Sequence, residues 1–172
     1  PGVPVIALHK RAGKDPAHYL RLYRTLRLLD PAIVHTRNLS GLDSVVIAAL
    51  AGVPHRVHGE HGWDMADLHG DHRRYRTYRR LVRPLVGRFV AVSAHISNWL
   101  SSTVGIPRER ISQIYNGVDT QRFAPAAAGR TALPVNGFVP TGGFVIGCVG
   151  RLQTVKNQTL LARAFVRLLE QR

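Results

Sequence analysis

The residue types best suited to chemistry cluster at a few places in the chain. Toward its end, the apolar run 144–149 closes on Gly150-Arg151, and Lys156-Asn157 follows at the head of an amphipathic stretch. In parallel α/β sheets, ligands gather at the carboxyl ends of strands, where a helix N-terminus offers free N–H groups and the positive end of its dipole. Gly150 would let an anion approach the backbone, while Arg151 and Lys156 supply fixed positive charge; the three could hold a diphosphate. The competing reading is a glycine that merely ends a strand beside two solvated cations, and spacing alone leaves both open.

His61 stands beside Gly62 where a strand-like run ends, with His58 just before it and His35 at the end of the preceding run. The pattern does not decide between a functional imidazole and rings on opposite turns of a strand end. No histidines at i and i+4 with a third ligand present themselves, so no metal site is read. Asn116, Gly117 and Asp119 carry turn chemistry. Gly117 can take the positive φ of a sharp turn, and Asn and Asp readily bond nearby backbone there, which makes these residues a structural hinge rather than a catalytic group. Ser93 is placed to cap a helix, and no Gly-x-Ser-x-Gly elbow surrounds it.

Arg73, Arg74, Arg76, Arg79, Arg80 and Arg83 interleave with Tyr75, Tyr78, Leu81, Val82 and Leu85. Helical periodicity puts Arg73, Arg76, Arg80 and Arg83 along one exposed side, with Leu81, Val82 and Leu85 anchoring the other side to a sheet. Such a face is either only solvated or rests on anionic lipid headgroups, where each nearby cation is worth about 1 kcal/mol.

The elements that must position these residues alternate. Val3 to Leu8 is β-like and Asp15-Pro16 opens a helix with apolar positions Leu20, Tyr23, Leu26 and Leu29. Ile33 to Thr36 is a strand followed by the apolar helix Gly41 to Leu50, and Arg56 to Glu60 a strand followed by the basic helix from Asp71 toward Leu85. Arg88 to Val92 leads through Ser93 into a helix over 94–102, and Ile111 to Tyr115 ends at Asn116-Gly117. Strands alternating with helices predict an α/β fold with a doubly wound parallel sheet. Residues 124–143 are rich in Ala, Gly, Pro and Thr and read as a linker between a first domain, 1–123, and the start of a second, 144–172. In the latter, Leu160, Leu161, Ala164, Phe165, Leu168 and Leu169 should face inward.

The chain has 172 residues, 45% of them hydrophobic, which is enough for one ordinary domain and short of two. Its longest apolar run, Val45 to Val53, is well below the roughly twenty residues of a membrane span. The start, Pro1-Gly2-Val3-Pro4, lacks the layout of a signal peptide, so a chain entered midway and a cytoplasmic setting are expected. Cys148 is the only cysteine, which excludes an internal disulfide. The net charge of +14 attracts phosphates of any kind, in nucleic acid, anionic lipid or a nucleotide-sugar.

Val149-Gly150-Arg151-Leu152 through Lys156-Asn157 and on to Ala164-Phe165 resembles the opening of the donor domain in family 4, GT-B-type glycosyltransferases. Asn116-Gly117-Val118-Asp119 followed by Phe123 resembles the segment with which the acceptor domain of those enzymes hands over to the donor domain, and Val90-Ala91-Val92-Ser93 is a third match. All three occur in the family's order and at roughly its spacing. The resemblance covers 33–172, and His55 to Gly62 is similar to sugar transferases of bacterial exopolysaccharide and exosortase-type systems.

The resemblance implies two Rossmann-like domains, an acceptor-side domain lacking its start and a donor-side domain represented by its first β-α unit. It also implies transfer of a sugar, of hexosyltransferase type, from a nucleoside-diphosphate donor to a glycan or lipid-linked acceptor, with retention and without a metal or other cofactor. Arg151 and Lys156 would bind the donor phosphates and stabilise the departing diphosphate; losing one such donor costs roughly 10²–10³ in rate. His61 would face the transferred sugar and orient it. Family members carry a glutamate pair further along the donor domain, which this chain does not reach, so the fragment is expected to be inactive alone. With a lipid-linked acceptor, the basic helix is read as resting peripherally on the membrane. The rival class is a basic nucleic-acid-binding α/β protein, against which stands the absence of any RRM, KH, zinc-finger or helix-turn-helix signature.

Overall fold

A computed structural model describes residues 2–11, 13, 15–63, 67–125 and 145–171. By contacts the chain divides into two compact units, Pro1–Asn116 and Gly117–Arg172.

The first unit is an α/β body. Helix α1 (Pro16–Leu29) starts where Asp15 accepts from the N–H of His18 and Pro16 pre-sets the first turn, and it stops at Asp30 in the left-handed conformation. Strand β1 (Ile33–Arg37) runs into α2 (Asn38–Leu50), whose buried positions Leu42, Val45 and Ala48 form one stripe. Strand β2 (His55–Glu60) is followed, after a loop, by α3 (Arg73–Val82) and a short 3₁₀ turn, Arg83–Leu85, containing Pro84. Strand β3 (Arg88–Ala91) leads to α4 (Ala94–Trp99), capped by Ser93 Oγ on the N–H of Ile96 at 3.2 Å, as its position foretold. A π-helical turn, Leu100–Val104, closes at Gly105 with φ 81°, and β4 (Ile111–Gln113) completes the sheet.

All four strands are parallel and lie in the order β1-β2-β3-β4; Thr36 pairs with His58, and His58 with Phe89. Helix α1 packs on α2, α2 on α3, and α3 on the turn after α4, so the helices form one layer. Beneath it lies a core of Leu42, Val45, Val82, Val86, Phe89, Leu100 and Val104, with a satellite of Leu26, Ala48, Ala51 and Val53 under α1. Alternation along β1 and β2 turns Val34, Thr36, His58 and Glu60 toward that layer and leaves Ile33 and His35 exposed on the opposite face. The α/β parallel architecture is the one the sequence predicts.

Some details differ from the sequence reading. Val3 to Leu8 forms no strand, and Val3 and Val5 are exposed. Pro4 removes a ladder donor, and the carbonyls of Leu8 and His9 accept from the Arg21 guanidinium instead. Leu81 does not anchor α3; it is 71% exposed, while Val82 is buried. The fifth expected strand ends at Gln113 rather than Tyr115.

In the second unit, α5 (Gln158–Leu169) forms as the periodicity predicts, preceded by a 3₁₀ turn over Thr154–Lys156. No strand forms over Val145 to Val149, because a single strand has no ladder partner there; Phe144 and linker residues 126–143 lie outside the described residues. The apolar face of α5 stays open, with Leu160, Phe165 and Leu168 exposed.

Candidate functional site

The carboxyl edge of the sheet brings together residues that the sequence separates. His35 and Arg37 come from the end of β1, Asn38 from the first position of α2, Gly59 from β2, and His61-Gly62 from the loop that follows. The rings of His35 and His61 lie 6.4 Å apart, centroid to centroid, tilted by 40°. They meet over Gly59. A Cβ built there would fall 2.7 Å from His61 Nε2 and 2.9 Å from His35 Nε2, so only glycine leaves room for both imidazoles.

Two features hold His61 in place. Its N–H donates to Asn38 Oδ1 at 2.8 Å, and Gly62 turns the chain away with φ 135°. Asn38 itself is left-handed, φ 54°, a conformation asparagine tolerates better than most residues. Burial pushes the His61 imidazole below its ordinary pKa, and the Arg37 guanidinium and His35 push the same way. Among the described residues its buried Nε2 has no partner. These influences favour the neutral form of the imidazole at the strand edge, a form suited to hydrogen bonding with a polar group.

Behind this edge runs a buried polar network. Thr36 Oγ1 and His58 Nδ1 are 2.8 Å apart, His58 Nε2 lies 3.5 Å from Glu60 Oε1, and Arg79 Nε donates to that oxygen at 2.7 Å. Arg79 also reaches Asp67 Oδ2 at 3.4 Å and stacks 5.0 Å over the Trp99 ring, whose indole N–H donates to the Gly70 carbonyl. Burial pushes the Glu60 carboxyl up, but His58 and Arg79 outweigh it and hold it below the ordinary carboxylate range. The network fastens the described parts of the loop after His61 to α3 and β2. His58 is thus an interior histidine bonded through Nδ1 to Thr36, its Nε2 facing Glu60 without a hydrogen bond among the described residues, and Arg79 is a buried ion-pair partner.

Arg80, exposed, and Arg83, partly buried, reach along the surface to the turn after α4. Arg80 donates to the carbonyls of Thr103 and Val104, and Arg83 to those of Val104 and Gly105, closing the open end of the π-helical turn. Arg73 and Arg74 are exposed, and Arg76 is partly buried. Of the stripe read from periodicity, Arg73 and Arg80 are exposed and Arg76 and Arg83 partly so, while Arg79, which lies outside it, is buried.

In the second unit, Gly150 and Arg151 precede the 3₁₀ turn that holds Lys156. The space a Cβ would take at Gly150 is 3.9 Å from the Lys156 stem and 3.8 Å from Gln158 Nε2, and that amide donates to the Arg151 carbonyl at 2.8 Å. The structure therefore gathers Gly150, Arg151 and Lys156 ahead of α5, whose start is lined by an open hollow of 370 Å³ bounded by Leu152, Asn157 and Gln158. Asn157 is left-handed, φ 50°, and its carbonyl accepts the first helical N–H groups. Among the hinge residues, Asp119 accepts from the N–H groups of Gln121 and Arg122, while Gly117 is exposed and does not take the positive φ open to it.

Sequence reasoning missed Asn38, Arg37 and Gly59. The available signals were a glycine inside a strand between two buried polar residues and an asparagine at a strand-to-helix junction.

The family model described as Glycosyltransferase Family 4 matches residues 1–122. UDP-Gal:alpha-D-GlcNAc-diphosphoundecaprenol alpha-1,3-galactosyltransferase of Escherichia coli is 28% identical over 172 residues, covering 98% of this chain and 44% of that protein. EpsF of Bacillus subtilis (strain 168), a glycosyltransferase by name, is 28% identical over 125 residues, 72% of this chain and 33% of its own length. The chain thus spans less than half the length of either relative.

Proposed function

We propose, from the premise that the chain belongs to glycosyltransferase family 4, that the whole protein transfers a hexose from a nucleoside-diphosphate sugar to a glycan or lipid-linked acceptor with retention, in the synthesis of an exopolysaccharide or another cell-surface glycan. The observation that carries the reading is the His35–His61 pair over Gly59 at the carboxyl edge of a parallel sheet, where α/β proteins place their ligands. A lipid-linked acceptor is supported by the diphosphoundecaprenol named for the relative from Escherichia coli.

In this reading His61 hydrogen-bonds and orients the sugar in its neutral form. Gly150, Arg151 and Lys156 receive the donor's phosphates, and their charge stabilises the diphosphate as the bond to the anomeric carbon breaks, without a metal. Asn116, Gly117 and Asp119 join the acceptor-side part, 1–123, through residues 124–143 to the donor-side part that begins near 144. The 172 residues alone are inactive. No described helix is long and apolar enough to cross a membrane, and the protein works at the inner membrane surface as a peripheral enzyme.

The test is transfer by the whole protein from a panel of nucleotide sugars to a diphospholipid carrying one sugar, with product configuration read by NMR. Transfer with retention is the expected result. An inverted product removes the retaining mechanism, and tight binding to random DNA at physiological salt with no transfer replaces the enzyme reading with the nucleic-acid one.

A further inference from the structure

Between α2 and α3 lies an open groove of 970 Å³. Leu39, Tyr75, Tyr78 and Leu81 give it largely apolar walls, and Arg73 and Arg74 stand on its rim. Its one acid, Asp43, is already engaged: the hydroxyl of Tyr19 donates to Oδ2 at 2.6 Å and that of Tyr78 to Oδ1. The carboxylate thereby ties α1, α2 and α3 together and makes no ion pair with Arg73 or Arg74.

Arg73 and Arg74 occupy the first turn of α3, a turn without any acid, where the helix dipole disfavours cations. Among the described residues neither forms an ion pair. Leu81, one face of the groove, is 71% exposed. Two cations without an ion-pair partner among the described residues, lining the same hollow as apolar side chains, complement a ligand with an anionic head and an apolar tail, and the volume is at the large end of small-ligand sites. The groove also opens near the sugar-facing edge: Leu39 follows Asn38, whose side chain holds the His61 N–H.

We infer that this groove takes the diphosphate and first isoprene units of a polyprenyl diphosphate carrier, the lipid arm of the acceptor. The diphosphate sits between Arg73 and Arg74, and the isoprene chain lies along Leu39, Tyr75 and Leu81. The inference rests on the lipid-linked acceptor proposed above, and it assigns the basic end of α3 to one lipid molecule rather than to the bilayer surface in general.

The test is calorimetric titration of the whole protein with farnesyl diphosphate, with farnesol and inorganic pyrophosphate as the two halves of the probe. Farnesyl diphosphate should bind at least about tenfold tighter than either half, and the Arg73→Gln/Arg74→Gln variant should lose about tenfold or more, the order expected of two charge-assisted contacts. Leu81→Gln should weaken binding while leaving pyrophosphate unaffected. Arg163→Gln/Arg167→Gln, which removes the same charge from α5, should change nothing. Pyrophosphate binding as tightly as farnesyl diphosphate, equal losses in the α5 control, or binding to phosphatidylglycerol vesicles alone would each overturn the assignment. Donor turnover by the wild-type protein is measured separately: its absence would defeat the glycosyltransfer reading, whereas a failure confined to farnesyl diphosphate defeats only the groove.

Discussion

The backbone N–H of His61 donates to the side-chain oxygen of Asn38 at 2.8 Å, tying the ends of two adjacent strands together. A left-handed asparagine at the start of one helix thus sets the position of an imidazole that belongs to a different β-α unit. The strain of that backbone conformation is offset by the bond it makes possible, a recurrent feature of functional edges.

Gly59→Ala should separate activity from stability. The added methyl falls under 3 Å from both imidazoles but meets ring ends rather than backbone, so the rings swing and the fold survives. The expected destabilisation is about 1–3 kcal/mol, the usual range for overpacking. Transfer should fall about tenfold or more if His61 orients the sugar as proposed, because its ring is misplaced. Thermal unfolding and steady-state kinetics check this; wild-type activity in Gly59→Ala would mean that the histidine pair is not used.

Arg79→Met should be far more damaging than Arg74→Met, although the sequence presents the two as members of one basic run. Arg79 is buried between Glu60 and Asp67, and removing it strands two carboxylates, at a cost of about 3–5 kcal/mol. Arg74 is exposed, and its loss should stay within about 0.5 kcal/mol. Urea denaturation of both variants decides the matter; equal midpoints would refute the network.

The pH dependence of His61 has a definite sign. Its folded pKa lies below the free value of 6.5, so as pH falls through that region the unfolded chain takes up a proton that the fold resists, and stability declines. Activity that needs the neutral ring should persist below pH 6.5. In Arg37→Ala the imidazole should titrate higher, because a cation beside it is gone. NMR titration of the His61 ring gives the answer, and a ring titrating at or above 6.5 in the wild type contradicts the burial argument.

Asp15 supplies an acid-side counterpart. The Arg11 backbone N–H, with help from Arg21 and His18, holds its carboxyl at about 2, against an ordinary 3.8. Its stabilising contribution is complete above the ordinary value and disappears as pH falls toward 2. Asp15→Asn keeps a helix-capping group without the charge, and should flatten this part of the stability profile in acid unfolding curves.

Arg151→Ala and Lys156→Ala in the whole protein should weaken use of the nucleotide-sugar much more than affinity for the acceptor. Removing one stabilising cation should lower kcat roughly 10²–10³-fold. Donor kinetics unchanged in both variants would return these residues to the role of surface charges.

Much of this protein is determined by local sequence. The alternation of strand and helix patterns, the caps at Asp15 and Ser93, the breaks at Asp30-Pro31 and Gly105, and the helix over 158–169 follow from short-range chemistry, and so does the parallel α/β class. The motifs around Asn116 and Gly150 were enough to indicate the family. What periodicity could not resolve is which neighbour each side chain meets. Arg73, Arg79 and Arg80 look alike as a repeating series of cations, yet the fold leaves the first exposed, buries the second between two carboxylates and places the third on carbonyls of another element. The same holds for Val3 to Leu8, a β-like run that forms no strand without a ladder partner, and for Gly59, whose missing side chain matters only because two histidines from different strands converge above it. Those outcomes depend on contacts between residues far apart in the chain, and a linear pattern carries no record of them until the sheet order is set.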